Sequence, residues 1–278
     1  PGEIAEEFGF SQVARLASNE NPFGPSSFAI NEINKAIDTI NRYPDTTQPD
    51  LIHALEKFHG KYSFVTGAGM DGVIETCIRA IVNPGDKVAV STPTFSFYGL
   101  ATAAQGGTVE NVPRNAEFSV DISSFISSAR DAKISFLCTP NNPSGTVTPV
   151  SDIEEILRDI NGILFLDNAY VEFSAEEYRP LMNDYENLII GRTMSKVFGL
   201  AGCRVGYAFV PGWFRQIYEK AATPFALNNL SAAAATGALQ DQEFLDKTIS
   251  FVKKWRDIFT REAGRQVLSS GANFVMVD

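Results

Sequence analysis

The chain reads as an α/β fold, a mostly parallel sheet with helices on both faces, and three observations predict it. Short runs rich in β-branched and aromatic residues, at 87–91, 134–138, 163–166 and 188–190, are too short for helices and too continuously apolar for half-exposed strands. Helical periodicities at 73–82, 152–160 and 213–222 lie between or beside them, the alternation that parallel strands and crossover helices produce. Polar residues cluster just past the carboxyl ends of these runs: Cys138 leads into T-P-N-N-P-S-G, Leu166 into Asp167-Asn168-Ala169-Tyr170, and Ile190 into G-R-T-M-S-K. In open α/β sheets that edge is where ligands bind.

Taken in order, a strand at 63–66 precedes Gly67-Ala-Gly69-Met-Asp-Gly72, which fits G-x-G-x-x-G and opens the helix at 73–82. The ribose-binding acid of a dinucleotide site is missing, because the strand at 87–91 runs into hydroxyls and Pro93. Three readings stay open, a dinucleotide site as in a nicotinamide dehydrogenase, a tight turn, and a helix N-terminus holding a single phosphate, and the last is preferred. The strand at 163–166 ends in Asp167, a carboxylate that needs a partner, either as a strand-end cap or as a functional acid. Tyr170, taken by itself, reads first as a packed aromatic with a bonded hydroxyl. Lys196 sits between a buried strand and small residues, where burial or the neighbouring cations Arg192 and Arg204 would make its amine a nucleophile. From Asn229 the pattern changes to an Ala-rich stretch, an amphipathic run at 241–262 and a last apolar segment at 273–277, so a second, closely packed domain is expected there.

Composition narrows the function. With 278 residues the chain can bury a large core, and with 23 Lys and Arg against 33 Asp and Glu its net charge of -10 would repel a nucleic-acid backbone. Cys77, Cys138 and Cys203 lie in apolar stretches without metal-ligand spacing, as buried thiols of a reducing cytoplasm would. No apolar run reaches the 18 or more residues of a membrane helix, and PGEIAEEFGF is acidic and unlike a signal peptide, so a cytoplasmic protein with no membrane partner is expected. Pro1 stands where an initiator Met would be, so the natural N-terminus is expected upstream. His53 and His59, six apart and on different helix faces, form no zinc pair and read as surface or capping residues. Ser195 lacks the G-x-S-x-G elbow of a hydrolase.

Together these pieces resemble fold type I pyridoxal-phosphate enzymes of the aspartate aminotransferase superfamily, and within it the histidinol-phosphate aminotransferase family. The resemblance rests on L-A-S-N-E-N-P-F-G-P-S (16–26), R-Y-P-D (42–45), T-G-A-G-M-D-G (66–72), P-T-F-S-F-Y (93–98), T-P-N-N-P-S-G (139–145), L-D-N-A-Y (166–170) and R-T-M-S-K-V-F-G-L-A-G-C-R-V-G-Y (192–207), in the family's order. It implies pyridoxal 5'-phosphate as cofactor, with Lys196 bonded to its aldehyde and later carrying the proton between the substrate α-carbon and the cofactor. Asp167 would pair with the pyridine nitrogen, Tyr170 and Asn142 would hydrogen-bond the ring oxygen, and Phe95 would stack on the ring. The backbone N–H groups of Met70 and Asp71, the hydroxyls of Thr193 and Ser195, and Arg204 would hold the phosphate. Tyr43 would reach the cofactor of the neighbouring subunit, making a homodimer the active unit.

The same resemblance divides the chain into an N-terminal arm and small-domain part (1–40), a cofactor-binding large domain (41–240) and the start of a C-terminal small domain (241–278). It implies transamination of histidinol phosphate with 2-oxoglutarate, in histidine biosynthesis. The alternatives are an aromatic amino-acid aminotransferase, a phosphothreonine decarboxylase and a non-enzymatic pyridoxal-phosphate-binding regulatory domain. Three features depart from the family: Asn168 replaces Glu in D-E-A-Y, the turn at 59–62 is short, and the chain stops at Asp278 before the family's C-terminal arginine. Omitted segments are the favoured reading of that stop, with a truncated relative as the alternative. The substrate-binding residues are therefore unassigned.

Overall fold

In the computed structural model, which describes residues 2–11, 13, 14 and 16–278, seven strands form one sheet. The chain begins with α1 (Gly2–Phe8), α2 (Ser27–Ala36) and α3 (Pro49–His59), and then enters the sheet at β1 (Phe64–Ala68). Helix α4 (Gly69–Ile81), β2 (Lys87–Thr92), α5 (Phe97–Ala104), β3 (Thr108–Pro113) and α6 (Ile122–Ala129) follow. Next come β4 (Ile134–Cys138), α7 (Val150–Asp159), β5 (Ile163–Asp167), β6 (Leu188–Thr193) and β7 (Val205–Phe209). The chain closes with α8 (Gly212–Ala221), α9 (Asn229–Ala238) and α10 (Gln242–Glu262).

The strand order is β1-β7-β6-β5-β4-β2-β3. Only β7 runs against its neighbours, antiparallel to both β1 and β6, and every other pairing is parallel. Every residue of β4, β5, β6 and β7 is buried, as strands covered on both faces must be. Alternation sorts their side chains. Phe136, Phe165 and Ile189 pack with Val73 and Cys77 of α4 and Phe214 of α8, while Leu137, Leu164 and Leu188 pack with Phe125 of α6 and Ile153 of α7. Burying each such side chain contributes roughly 1.5–3 kcal/mol, so the centre of the sheet is its most stable part.

The four runs expected from sequence coincide with β2, β4, β5 and β6, and 63–66 with β1. Two strands were not anticipated. In β3 only Val112 is buried and Pro113 ends the strand, because it lies at the sheet edge and pairs with β2 alone. In β7 Gly206 and Tyr207 interrupt the apolar signal, and both have packing reasons. A Cβ on Gly206 would stand 2.3 Å from the backbone of Gly69, so the start of α4 lies directly against this strand. The apolar segment 273–277 forms no strand and pairs only through an isolated bridge between Val267 and Val277.

Two expectations about single residues are corrected. Cys77 and Cys138 are buried, but Cys203 is only half-buried because it lies in the short 3-10 turn before β7. His59 is no surface residue: it is 9% exposed, with Nδ1 3.1 Å from Arg179 Nη1 and Nε2 2.8 Å from the Tyr207 hydroxyl. Arginine can only donate, so Nδ1 is the unprotonated nitrogen and Nε2–H donates to Tyr207. As the last residue of α3, His59 sets this ring among Phe58, Phe64 and Phe209, an environment that helical spacing alone does not reveal.

Burial, with Arg192 and Arg179 nearby, pushes the His59 pKa down to about 2. An unfolded histidine titrates near ~6.5, so only the unfolded chain takes up this proton in mild acid. The stability contribution of neutral His59 is therefore complete above that value and drains away as pH falls toward the folded pKa. Urea unfolding of wild type and His59→Gln from pH 7 to 5 should show wild type losing its advantage, at a slope approaching about 1.4 kcal/mol per pH unit below ~6. A pH-independent difference between the two would contradict this.

Candidate active site

A cavity of about 930 Å³ opens at the carboxyl edge of the parallel strands. Met70, Asp71, Phe95, Asn142, Asp167, Tyr170, Thr193, Ser195, Lys196 and Arg204 all line it, although they come from six separate stretches of chain. Tyr43 does not: it is exposed, and stacks on Phe225 with ring centroids 4.6 Å apart. Cavity-lining residues therefore include every site residue singled out from sequence except the one assigned to a neighbouring subunit.

Asp167 ends β5, between Cys138 of β4 and Gly191 of β6, and is 3% exposed. Its Oδ2 accepts from the Tyr98 hydroxyl at 2.6 Å and its Oδ1 from the Ala169 N–H at 3.0 Å. Burial raises its pKa, and those two hydrogen bonds oppose the rise by stabilising the anion. Lys196 lies in the turn after β6, where burial lowers its pKa and Arg204 adds to the effect, against the pull of Asp167 and Glu20. Its Nζ donates to the Ser18 carbonyl at 2.9 Å and stands 5.4 Å from the Tyr170 ring centroid. An amine so placed gives up its proton more readily than a surface lysine, which is what a nucleophile requires. The Tyr170 hydroxyl accepts from Asn19 Nδ2 at 3.3 Å, and burial raises its pKa.

The other end of the cavity is built for an anion. Helix α4 starts at Gly69, whose N–H is taken by the Arg204 carbonyl at 2.8 Å, and Met70 and Asp71 follow in the first turn, where backbone N–H groups lack partners within a helix. Gly69 has φ +77°, and a Cβ there would come within 2.4 Å of Arg204 Nη2, so only glycine lets the guanidinium lie across the helix start. Arg204 pairs with the Asp71 carboxylate at 2.5 Å. The Thr193 hydroxyl donates to Ser195 Oγ at 3.0 Å and accepts from the Ser195 N–H at 3.1 Å, which fixes both hydroxyls beside the cradle.

Residues near both ends of the chain roof the cavity. Leu16 to Glu20 line it from one side, Phe274 and Val275 from the other, and Asn273 Nδ2 donates to the Asn19 carbonyl at 3.0 Å. Phe274 meets the Tyr170 ring edge to face at 5.1 Å. Sequence reasoning gave no role to Tyr98, although it follows Phe95 by three residues in P-T-F-S-F-Y, close to one helical turn. The Ser18 carbonyl, as backbone, carries no residue-type signal at all. Asn168, the departure from D-E-A-Y, is fully buried and donates to the Thr139 carbonyl at 2.8 Å, outside the lining of the cavity.

The arrangement can hold a planar group between an acid and an anion cradle, and offers an amine of lowered basicity to a carbonyl. Comparison with known proteins agrees in kind. Residues 11–278 match the family described as aminotransferase class I and II. The chain is 57% identical over 276 residues to the histidinol-phosphate aminotransferase of Methanoculleus marisnigri, covering 99% of this chain and 78% of that protein. It is 54% identical to the histidinol-phosphate aminotransferase of Methanocorpusculum labreanum, covering 100% of this chain and 79% of that one. Among solved structures, the histidinol-phosphate aminotransferase from Sinorhizobium meliloti in complex with pyridoxal-5'-phosphate aligns with a TM-score of 0.92 at 29% identity, over 100% of this chain and 78% of its own.

The cradle predicts an anion site independent of any further chemistry. Crystals soaked in phosphate should show the anion at the first turn of α4, within hydrogen-bond reach of Arg204 and of Thr193 or Ser195. Because arginine offers a fork of donors where lysine offers a point charge, Arg204→Lys should weaken phosphate binding about fivefold or more by calorimetry. Unchanged affinity, or an anion bound elsewhere with Arg204 turned away, would contradict the assignment.

Proposed function

The chain belongs to the class I and II aminotransferase family, and from that premise we propose that it is a pyridoxal 5'-phosphate-dependent histidinol-phosphate aminotransferase passing the amino group to 2-oxoglutarate. The observation that carries the proposal is the convergence of Asp167, Tyr170, Lys196 and the Arg204 cradle on one cavity. The high identity to relatives of that name supports the choice of substrate.

The residues fit the cofactor by the chemistry of their donors. A doubly charged phosphate matches the α4 N-terminus, two hydroxyls and a guanidinium, and a ring nitrogen that must stay protonated matches a buried carboxylate. When bound, pyridoxal phosphate supplies a carbonyl that bonds to an amine nitrogen and a protonated ring that delocalises the electron pair left on a deprotonated carbon.

The chain's own residues do the rest. Met70 and Asp71, through their backbone N–H groups, and Thr193, Ser195 and Arg204 would bind the phosphate and so fix one end of the ligand. Asp167 would hold the proton at the ring nitrogen, since an adjacent anion favours the protonated form. Tyr170 and Asn142 would orient the ring through its oxygen, and Phe95 would offer an apolar face. Lys196 Nζ, once free, is the base for the proton on the substrate carbon that bears the amine, and its lowered pKa keeps more of it unprotonated. The segments around Ser18 and Phe274 line the cavity beside that amine. Tyr43, exposed beside Phe225, is the residue proposed to enter the partner subunit's site in a homodimer.

Among the described residues no helix is long and apolar enough to cross a membrane. The proposed partners are a small-molecule amino donor and a 2-oxo acid.

Two outcomes test this reading. Purified protein with pyridoxal phosphate should absorb near the edge of the visible range, and Lys196→Ala should lose both that band and turnover while still binding the cofactor noncovalently through the phosphate cradle. Wild-type turnover in Lys196→Ala would refute the role. For the full-length protein, kcat/KM for histidinol phosphate should exceed those for phenylalanine and tyrosine at least roughly tenfold, the effect of about 1.4 kcal/mol in differential transition-state binding. Equal or reversed ratios would reassign the protein to the aromatic aminotransferases.

A further inference from the structure

Tyr98 is fully buried, yet its hydroxyl points at the acid on the cavity floor. The ring is clamped: it stacks on Phe136 with centroids 4.8 Å apart and planes 8° apart, and meets Phe95 edge to face at 5.6 Å. It stands second in α5, whose next turn is tied back by the Thr102 hydroxyl on the Tyr98 carbonyl at 2.8 Å. A phenylalanine would satisfy all of this packing. The hydroxyl adds only polar chemistry, and its oxygen lies 2.6 Å from Asp167 Oδ2.

We infer that Tyr98 is a positioning residue that keeps Asp167 ionised and fixes the direction of its carboxylate, an inference that rests on the proposed pairing of Asp167 with the cofactor's ring nitrogen. A buried carboxylate with no donors takes up a proton, and a neutral acid cannot hold the ring nitrogen in its protonated form. Asp167 has the Ala169 N–H on Oδ1, and Tyr98 supplies the matching donor on Oδ2. The direction of the bond follows from the acidities. Burial and the facing carboxylate push the Tyr98 hydroxyl well above its ordinary range, so the proton stays on the tyrosine and the anion on Asp167. The other groups that face this carboxylate are Asp71 and Cys138, which disfavour its charge, Lys196, which favours it, and the Tyr170 hydroxyl, whose own ionisation it opposes. With both oxygens held, the carboxylate cannot rotate away from the cavity it lines.

The test uses Tyr98→Phe, which keeps the ring packing and removes the donor. In cofactor-free protein with 13C-labelled aspartate, the Asp167 carboxyl should titrate at least one pH unit higher in the variant than in wild type. In the loaded enzyme, the variant should release pyridoxal phosphate about tenfold faster and lose about tenfold in kcat, with substrate KM within about twofold, the scale of a hydrogen bond to a charged group. An unchanged Asp167 titration overturns the inference, and so does a shifted titration with unaltered cofactor release. Should Tyr98→Phe fail to fold, 3-fluorotyrosine at position 98 preserves the shape and strengthens the donor, so Asp167 should titrate lower, and no movement overturns the inference. Failure of the wild-type protein to take up pyridoxal phosphate would instead refute the functional reading, leaving the link between Tyr98 and Asp167 to be decided by the titration alone.

Discussion

The site depends on one unfavourable placement, a carboxylate buried at the end of the central strand β5. Ionised Asp167 would be untenable among Cys138, Gly191 and the aromatic rings of Tyr98 and Phe136 without donors to match it. The Tyr98 hydroxyl and the Ala169 N–H supply them, and the cavity gives the remaining lone pairs somewhere to act. A residue that is costly to bury and fully supported by its surroundings is organised for use. The sheet makes the placement reproducible, because β4, β5 and β6 are buried throughout and their registers set Cys138, Asp167 and Gly191 side by side.

The antiparallel strand β7 serves the same end by a different route. Its approach to Gly69, permitted only by Gly206, brings the N-terminus of α4 beside Arg204, which enters β7 from a left-handed conformation at φ 51°. Anion cradle and acid are thus set on rigid elements at two ends of one cavity. Lys196 is held from the N-terminal side of the cavity. Its ammonium rests on the Ser18 carbonyl, so the segment near the N-terminus is coupled to the amine, and through Asn19 to Tyr170 and Asn273.

Most of the central sheet was legible in the sequence because double-sided burial writes itself as short, continuous apolar runs. Edge strand β3 was not, since pairing on one side only leaves Glu110 half-buried and Asn111 exposed, and β7 was hidden by Gly206, a residue required by backbone contact and not by strand propensity. The site was legible to the extent that its groups carry residue-type signals. Asp167, Lys196 and Arg204 are charges where charge is unusual, and motif order related them to one another. Backbone groups such as the Ser18 carbonyl leave no such mark. Tyr98 received no reading and His59 was placed at the surface or a cap, because an aromatic in an apolar stretch and a histidine on a helix have ordinary explanations until their partners are seen.

The central claim is that Asp167 holds a ring nitrogen in its protonated form, and it is tested most directly by nitrogen NMR of the protein loaded with 15N-pyridoxal phosphate. The ring nitrogen should show the shift of the protonated form in wild type through neutral pH, and of the unprotonated form in Asp167→Ala. An unprotonated ring nitrogen in the wild-type protein, or a protonated one that survives loss of the carboxylate, would contradict it.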